Sequence, residues 1–295
     1  MSDIRSTATK LPVIEQVAEM AMFLGQRHLA DYGATRSRHD FTQRQLMTCL
    51  ILRAYLKTTY RGLLEVLSVS PSLRQRLGLT DKLPHFTTLQ KFSARSEVLA
   101  IAQKLLASIG QAAARQEAGH VDAAMDSTGL AITSASDYFR SRSGKKSKRR
   151  WVKISVVVLC GSLLPVSLVI DLGPSNDRIQ VPALLSQAQG VVRPDKFYAD
   201  AGYDAEWIHV RCREDWGAES LIKPNGQRAD GVRNGKWRAL MSPEHLKARQ
   251  YGRRWAAESF FSGLKRTMGA ALTARKASQM LAEAAFRVLA YALRR

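Results

Sequence analysis

Long apolar runs are missing from this chain, and acids are scarce beside bases. No stretch of about 18 consecutive apolar residues occurs, which excludes a helix crossing a bilayer. Cysteine is rare. Cys49, Cys160 and Cys212 are far apart and odd in number, so they make neither a C-x-x-C metal pair nor a disulfide framework. Buried, reduced thiols are expected. The opening stretch MSDIRSTATKLPVIEQ lacks the basic-then-apolar order of a secretory signal, so a cytoplasmic location is expected. There is no internal repeat and no long low-complexity linker. Asp and Glu number only 25 against 45 Lys and Arg, leaving +20 over 295 residues. A surplus of that size points to a polyanion, either nucleic acid or an anionic membrane surface. Nucleic acid leads, because nothing else suggests a membrane.

What is present is a globular chain in two textures. The apolar fraction of 45% is ordinary for a protein that buries a core. Residues 11 to about 116 carry apolar side chains at three- and four-residue spacing, which predicts helices throughout. Thr42 and Ser70 are candidate helix starts, and Pro71 and Pro84 punctuate the stretch. Short helices joined by tight turns suit a helix-turn-helix-like module, with a plain helical bundle as the alternative.

From about residue 119 the pattern changes. GHVDAAMDSTGLAI reads as a strand, and WVKISVVVLC and LLPVSLVIDLG are β-branched runs around a Gly161-Ser162 turn. DRIQVPALLSQAQG predicts a helix, DKFYAD a strand ending at Asp200, AEWIHVRCREDWG a second helix and SLIKP another strand. From Pro243 onward the spacing is helical almost to the end. Three strands followed by alternating helices and strands predict an α/β fold: a mixed sheet with helices on its faces, the order of a ribonuclease-H-like core. The expected organisation is a helical DNA-binding region over 1–117 and a catalytic domain over 118–295.

Between the first two strands lies RSRSGKKSKRRWVK, residues 140–153, with eight cations and no acid. It is read either as a solvated hairpin loop or as a phosphate-binding loop. Crowded positive charges repel one another, and phosphates relieve that repulsion. Lys145, Lys146, Lys148, Arg149 and Arg150 are its candidate DNA contacts.

Three acids stand out as candidate metal ligands. Asp126 interrupts a predicted strand, where aspartate has poor propensity. Asp200 closes a strand at its C-terminal edge, where open α/β sheets form sites. Glu258 stands alone among cations in YGRRWAAESFFSGLK. Continuous helical spacing from Tyr251 would put Tyr251, Arg254, Glu258 and Lys265 within about 60° of arc. That face is either an amphipathic surface with one ion pair or a carboxylate set beside phosphate-binding groups. Asp122 falls on the same strand face as Asp126, where it either supports the site from behind or is simply exposed, and gets no catalytic role; Asp122→Ala is expected to be near neutral in cleavage. Trp207 and Trp255 are expected to pack in the core, with stacking on a displaced base as the alternative. Two aspartates and a glutamate can hold two Mg²⁺ ions, which favour hard oxygen ligands and serve phosphodiester displacement.

MDSTGL, YADAGYD and YGRRWAAESFFSGLK resemble the three acidic blocks of bacterial insertion-sequence DDE transposases, of the insertion-sequence four/five type. Their signature Y-x2-R-x3-E-x6-K fits Tyr251, Arg254, Glu258 and Lys265 without a gap. LPHFTTLQKF resembles the block upstream of the first aspartate. The resemblance runs from about residue 40 to the C-terminus. It implies Mg²⁺ dependence, with Mn²⁺ as a substitute, and catalysis by Asp126, Asp200 and Glu258. It also implies action on double-stranded DNA at terminal inverted repeats and target sites, homodimers on DNA, and a nucleoid-associated bacterial or archaeal setting. Only 57 residues lie between Asp200 and Glu258, so the long β-rich insertion of some members is absent, and NGQRADGVRNGKW is at most a small loop or hairpin. A non-catalytic DNA-binding derivative and a junction resolvase are the competing classes.

Overall fold

A computed structural model describes all residues except 1–10, 35, 37, 118–119, 133–150 and 226–233. Lys145, Lys146, Lys148, Arg149 and Arg150 lie outside the described residues. The chain divides into two compact units, Met1–Phe92 and Ser93–Leu293.

The first unit is helical: α1 (Val13–His28), α2 (Gln43–Tyr55), α3 (Tyr60–Ser68), α4 (Pro71–Leu77) and α5 (Phe86–Ser93). Thr42 starts α2 with a complete capping box. Its hydroxyl accepts from the Gln45 N–H at 3.3 Å while its own N–H donates to Gln45 Oε1 at 2.8 Å. Ser70 precedes α4 but makes no side-chain cap, and Pro71 supplies the preset φ at the first turn instead. Gly78 ends α4 in the left-handed region, and Gln45 Nε2 donates to the Leu77 and Gly78 carbonyls there. Met47, Leu50, Ile51, Leu63, Leu67 and Leu77 form the buried interior.

The second unit opens with α6 (Val98–Gln116) and carries a six-stranded sheet: β1 (Asp122–Ile132), β2 (Trp151–Leu159), β3 (Pro165–Gly173), β4 (Lys196–Ala199), β5 (Glu219–Ile222) and β6 (Ala271–Leu272). The order is β3-β2-β1-β4-β5, with β6 paired to the far end of β1. β1, β2 and β3 form an antiparallel meander, while β4 and β5 run parallel to β1. That arrangement is the ribonuclease-H-like core expected from the order of elements.

Two layers of helix cover the sheet. On one face, α6 and α7 (Val181–Gln189) join Ala123, Met125, Val157, Val166 and Phe197 in a single core. Gly110 lets α6 approach β3, because a Cβ there would meet Val166 at 2.8 Å and the Pro165 carbonyl at 3.0 Å. β3 is an edge strand, and its outward polar groups are answered. Gln103 donates to the Leu168 carbonyl and Gln187 accepts from the Leu168 N–H. α10 (Trp255–Met268) packs against β1 and β2, and Tyr291 of α11 (Ala277–Arg294) meets Phe260 edge-on. Between β4 and α10 lie α8 (Glu206–Val210) and α9 (Pro243–Ala248). Cys49, Cys160 and Cys212 are free and buried, as expected. Among the described residues no helix is long and apolar enough to cross a membrane.

Candidate active site

Side chains alternate across β1, so Asp122, Ala124 and Asp126 share one face and Ala123, Met125 and Ser127 the other. Asp126 sits mid-strand opposite Val156 of β2. β4 runs parallel beside the start of β1 and ends at Ala199, so Asp200 emerges just past the strand's C-terminal end. Its carboxylate accepts from the Gly202 N–H at 2.9 Å, opening a short 3-10 turn over Ala201–Tyr203. Glu258 stands in the first turn of α10, where the helix dipole favours an anion.

Asp200 and Glu258 both lie within electrostatic reach of Asp126. Asp126 is pushed up to about 6, first by burial and then by the charges of Asp200 and Glu258, against the Ser127 N–H and the Arg254 guanidinium. Arg254 pairs with Glu258 at 2.5 Å across one helical turn. Hard oxygen donors suit Mg²⁺. In this arrangement Glu258 is turned to Arg254 and Asp200 to the turn that follows it. Among the described residues no three Asp, Glu, His or Cys side chains are gathered closely enough to chelate one ion.

The Y-R-E-K residues depart from a single helical face. Tyr251–Arg254 is a 3-10 turn entered through Gln250 at positive φ, and α10 begins only at Trp255. The arc computed from Tyr251 along an α-helix therefore does not apply to Tyr251. Its hydroxyl donates to the Ala199 carbonyl at 2.9 Å, fastening the turn to the end of β4 beside Asp200. Burial is the main cause that holds its phenol pKa above the ordinary tyrosine value. Lys265 lies in the last turn of α10 and is partly exposed.

Several side chains fall where spacing did not place them. Asp122 is buried; it accepts from Arg253 at 2.5 Å and from the Tyr198 hydroxyl at 3.2 Å. It anchors the turn that precedes α10, so the expectation of a near-neutral Asp122→Ala is withdrawn. Trp207 and Trp255 are 41% and 54% exposed, which corrects the expectation of core packing. Lys153, counted among the cations of the basic loop, is instead a buried residue of β2, paired with Asp177 at 2.5 Å. A signal for it was available: Lys153 and Ser155 alternate with Val152, Ile154 and Val156, which marks two polar groups on an inward face. Asp177 itself, in PSNDR, had no such signal. At the place of the missing insertion, Asp204 accepts from Asn225 and from both arms of Arg238, while Glu206 accepts from the Trp237 and Arg238 N–H groups.

Comparison with known proteins follows the same outline. The family model described as "Transposase DDE domain" matches residues 117–293, and that described as "Transposase domain (DUF772)" matches residues 2–95. No curated protein matches the chain. Among solved structures, a piggyBac transposase synaptic complex with hairpin DNA aligns at a TM-score of 0.47 and 10% identity, covering 97% of this chain and 72% of that one.

Proposed function

The chain belongs to the transposase DDE domain family, and we propose on that premise that it cuts and joins DNA strands at the terminal inverted repeats of an insertion sequence. The carrying observation is the placement of three carboxylates: Asp126 on β1, Asp200 just past the end of the neighbouring β4, and Glu258 in the first turn of the helix packed on β1. Carboxylates set there suit a divalent cation, on the side of the sheet where α/β folds build sites. Asp126, Asp200 and Glu258 would hold two Mg²⁺ ions, or Mn²⁺ in their place. The ions supply activation of an attacking oxygen and stabilisation of a leaving one. The chain's own groups do the rest. Arg254 orients Glu258, and its guanidinium suits bidentate contact with a phosphate. Tyr251 keeps the turn fastened beside Asp200. Lys265 offers a further cation on the same helix. Partners are double-stranded DNA and, on DNA, a second copy of the chain.

The test uses duplexes bearing the DNA that brackets the reading frame. Mg²⁺-dependent strand breaks at the boundary of an inverted repeat are expected. Absence of breaks there, or equal breakage in a chelator, overturns the proposal.

The basic segment is expected to add affinity without sequence preference. Neutralising Lys145, Lys146, Lys148 and Arg149 together should flatten the salt dependence of DNA binding by about one unit of slope per lost phosphate contact. The check is fluorescence anisotropy over a salt series; an unchanged slope removes the segment from the interface.

A further inference from the structure

Behind the carboxylate-bearing face of the sheet is a polar cluster whose central acid neither the sequence motifs nor the proposed chemistry uses. Its centre is Asp177, at the start of the 3-10 turn Asp177–Gln180 that follows β3. The Ser127 hydroxyl donates to Asp177 Oδ1 at 2.6 Å, and Lys153 Nζ lies 2.5 Å from the same oxygen. Lys153 also donates to the Ser175 carbonyl at 2.9 Å. Ser127 directly follows Asp126 on β1, and its backbone N–H donates to Asp126 Oδ1 at 2.8 Å. So one residue has its side chain tied to Asp177 and its main chain tied to Asp126.

The same segment reaches Asp200. Arg178 Nε donates to the Gly202 carbonyl at 2.9 Å, and the Gly202 N–H donates to Asp200 Oδ1 at 2.9 Å. A Cβ on Gly202 would stand 3.0 Å from Asp200 Oδ1 and 3.7 Å from Asp177 Oδ2, so both acids lie close to this glycine. β1 and β4 pair only over Asp122–Ala124 and Lys196–Tyr198, short of both Asp126 and Asp200. Beyond that register no ladder bond between these two strands fixes the separation of the two aspartates. The segment 175–178 spans the gap.

We propose that Asp177, through Ser127 and Lys153 on one side and Arg178 with Gly202 on the other, is a positioning residue that fixes Asp126 relative to Asp200. It does so from the back of the sheet. Asp177 is the counter-charge of the buried Lys153, whose ammonium would otherwise be uncompensated. This inference rests on the proposed role of Asp126 and Asp200 in phosphoryl transfer, but its test does not need that role to be right.

Removing Asp177 alone strands a buried ammonium and risks unfolding. The variant of choice is therefore Lys153→Met/Asp177→Leu, which replaces the ion pair by apolar groups of similar length. The readout is amide hydrogen exchange resolved by NMR, without metal or DNA. Ser127 and Gly202 carry the two N–H groups bonded to the candidate carboxylates, so they report the placement of each directly. Exchange at both should rise about tenfold or more as these local bonds open, while Val157 in the centre of β2 stays as in the wild type. A parallel Mn²⁺ titration followed by electron paramagnetic resonance should show weaker binding by the variant. Unchanged exchange at Ser127 and Gly202 overturns the inference, as does an equal rise at Val157, which would mean general loss of stability. If the wild-type chain binds no Mn²⁺ yet exchange rises at the two sites, the positioning role stands and the proposed chemistry falls.

Discussion

Asp126→Ala, Asp200→Ala and Glu258→Ala should each abolish Mg²⁺-dependent strand cleavage, by about 10⁴-fold or more, the scale seen when a member of a catalytic unit is removed. Each substitution takes away one hard oxygen donor from a site that would already be sparing with them. Glu258 is half given to Arg254 and Asp200 is bonded to the Gly202 N–H. DNA binding should survive, because affinity comes from the excess of Lys and Arg. At low metal it should rise slightly, since a negative charge facing phosphate is gone. Lys265→Ala should weaken end binding or cleavage while metal affinity remains. A cleavage assay paired with anisotropy on the same duplex separates the two effects. Near-normal cleavage by Glu258→Ala would move the third ligand elsewhere, with Glu206 and Glu244 next in line. Glu206 is the poorer candidate, because its carboxylate already accepts from the Trp237 and Arg238 N–H groups. Asp122→Ala is not a neutral control in this series. It frees Arg253 and the Tyr198 hydroxyl and loosens the turn on which Arg254 sits. Exposed Asp171 on β3 is the better one.

Much of this was legible in the sequence for a physical reason. Strands announce themselves through β-branched runs, and an aspartate inside one, as at Asp126, has to be explained. Asp200 was legible because a short apolar run stopped at it before Ala-Gly. The Tyr251 geometry was not legible, since a 3-10 turn and the first turn of an α-helix share nearly the same residue spacing. β6 is two residues long, too short for any period to show. The Asp122–Arg253 and Asp177–Lys153 pairs join residues far apart in the chain, and a single sequence carries no record of such pairings. Trp207 and Trp255 were misread because size suggests a core, although only the orientation of a short helix decides exposure.

The largest stability effect is expected at Glu283. It lies in α11, buried with Arg287 one turn on, and the two pair at 2.7 Å. Its carboxylate also accepts from the Thr273 and Ala274 N–H groups and from the Thr273 hydroxyl. Arg287 in turn donates to the Gly269 carbonyl at 3.0 Å. Between those anchors runs β6, which pairs with Ala131 and Ile132 at the end of the strand carrying Asp126. Glu283→Ala orphans a buried guanidinium and three donors together. Breaking one side of a buried pair costs about 3–5 kcal/mol. For a unit of this size that corresponds to a fall in Tm of about 6–20 °C. The double replacement Glu283→Leu/Arg287→Met should cost less than Glu283→Ala, because no charge is left unpaired. Thermal unfolding followed by circular dichroism reads both. If Glu283→Ala melts within about 2 °C of the wild type, the network contributes nothing net and β6 is held by its strand pairing alone. If the double variant is the less stable of the two, the Arg287 bond to the Gly269 carbonyl, which only that variant loses, outweighs the cost of the stranded charge.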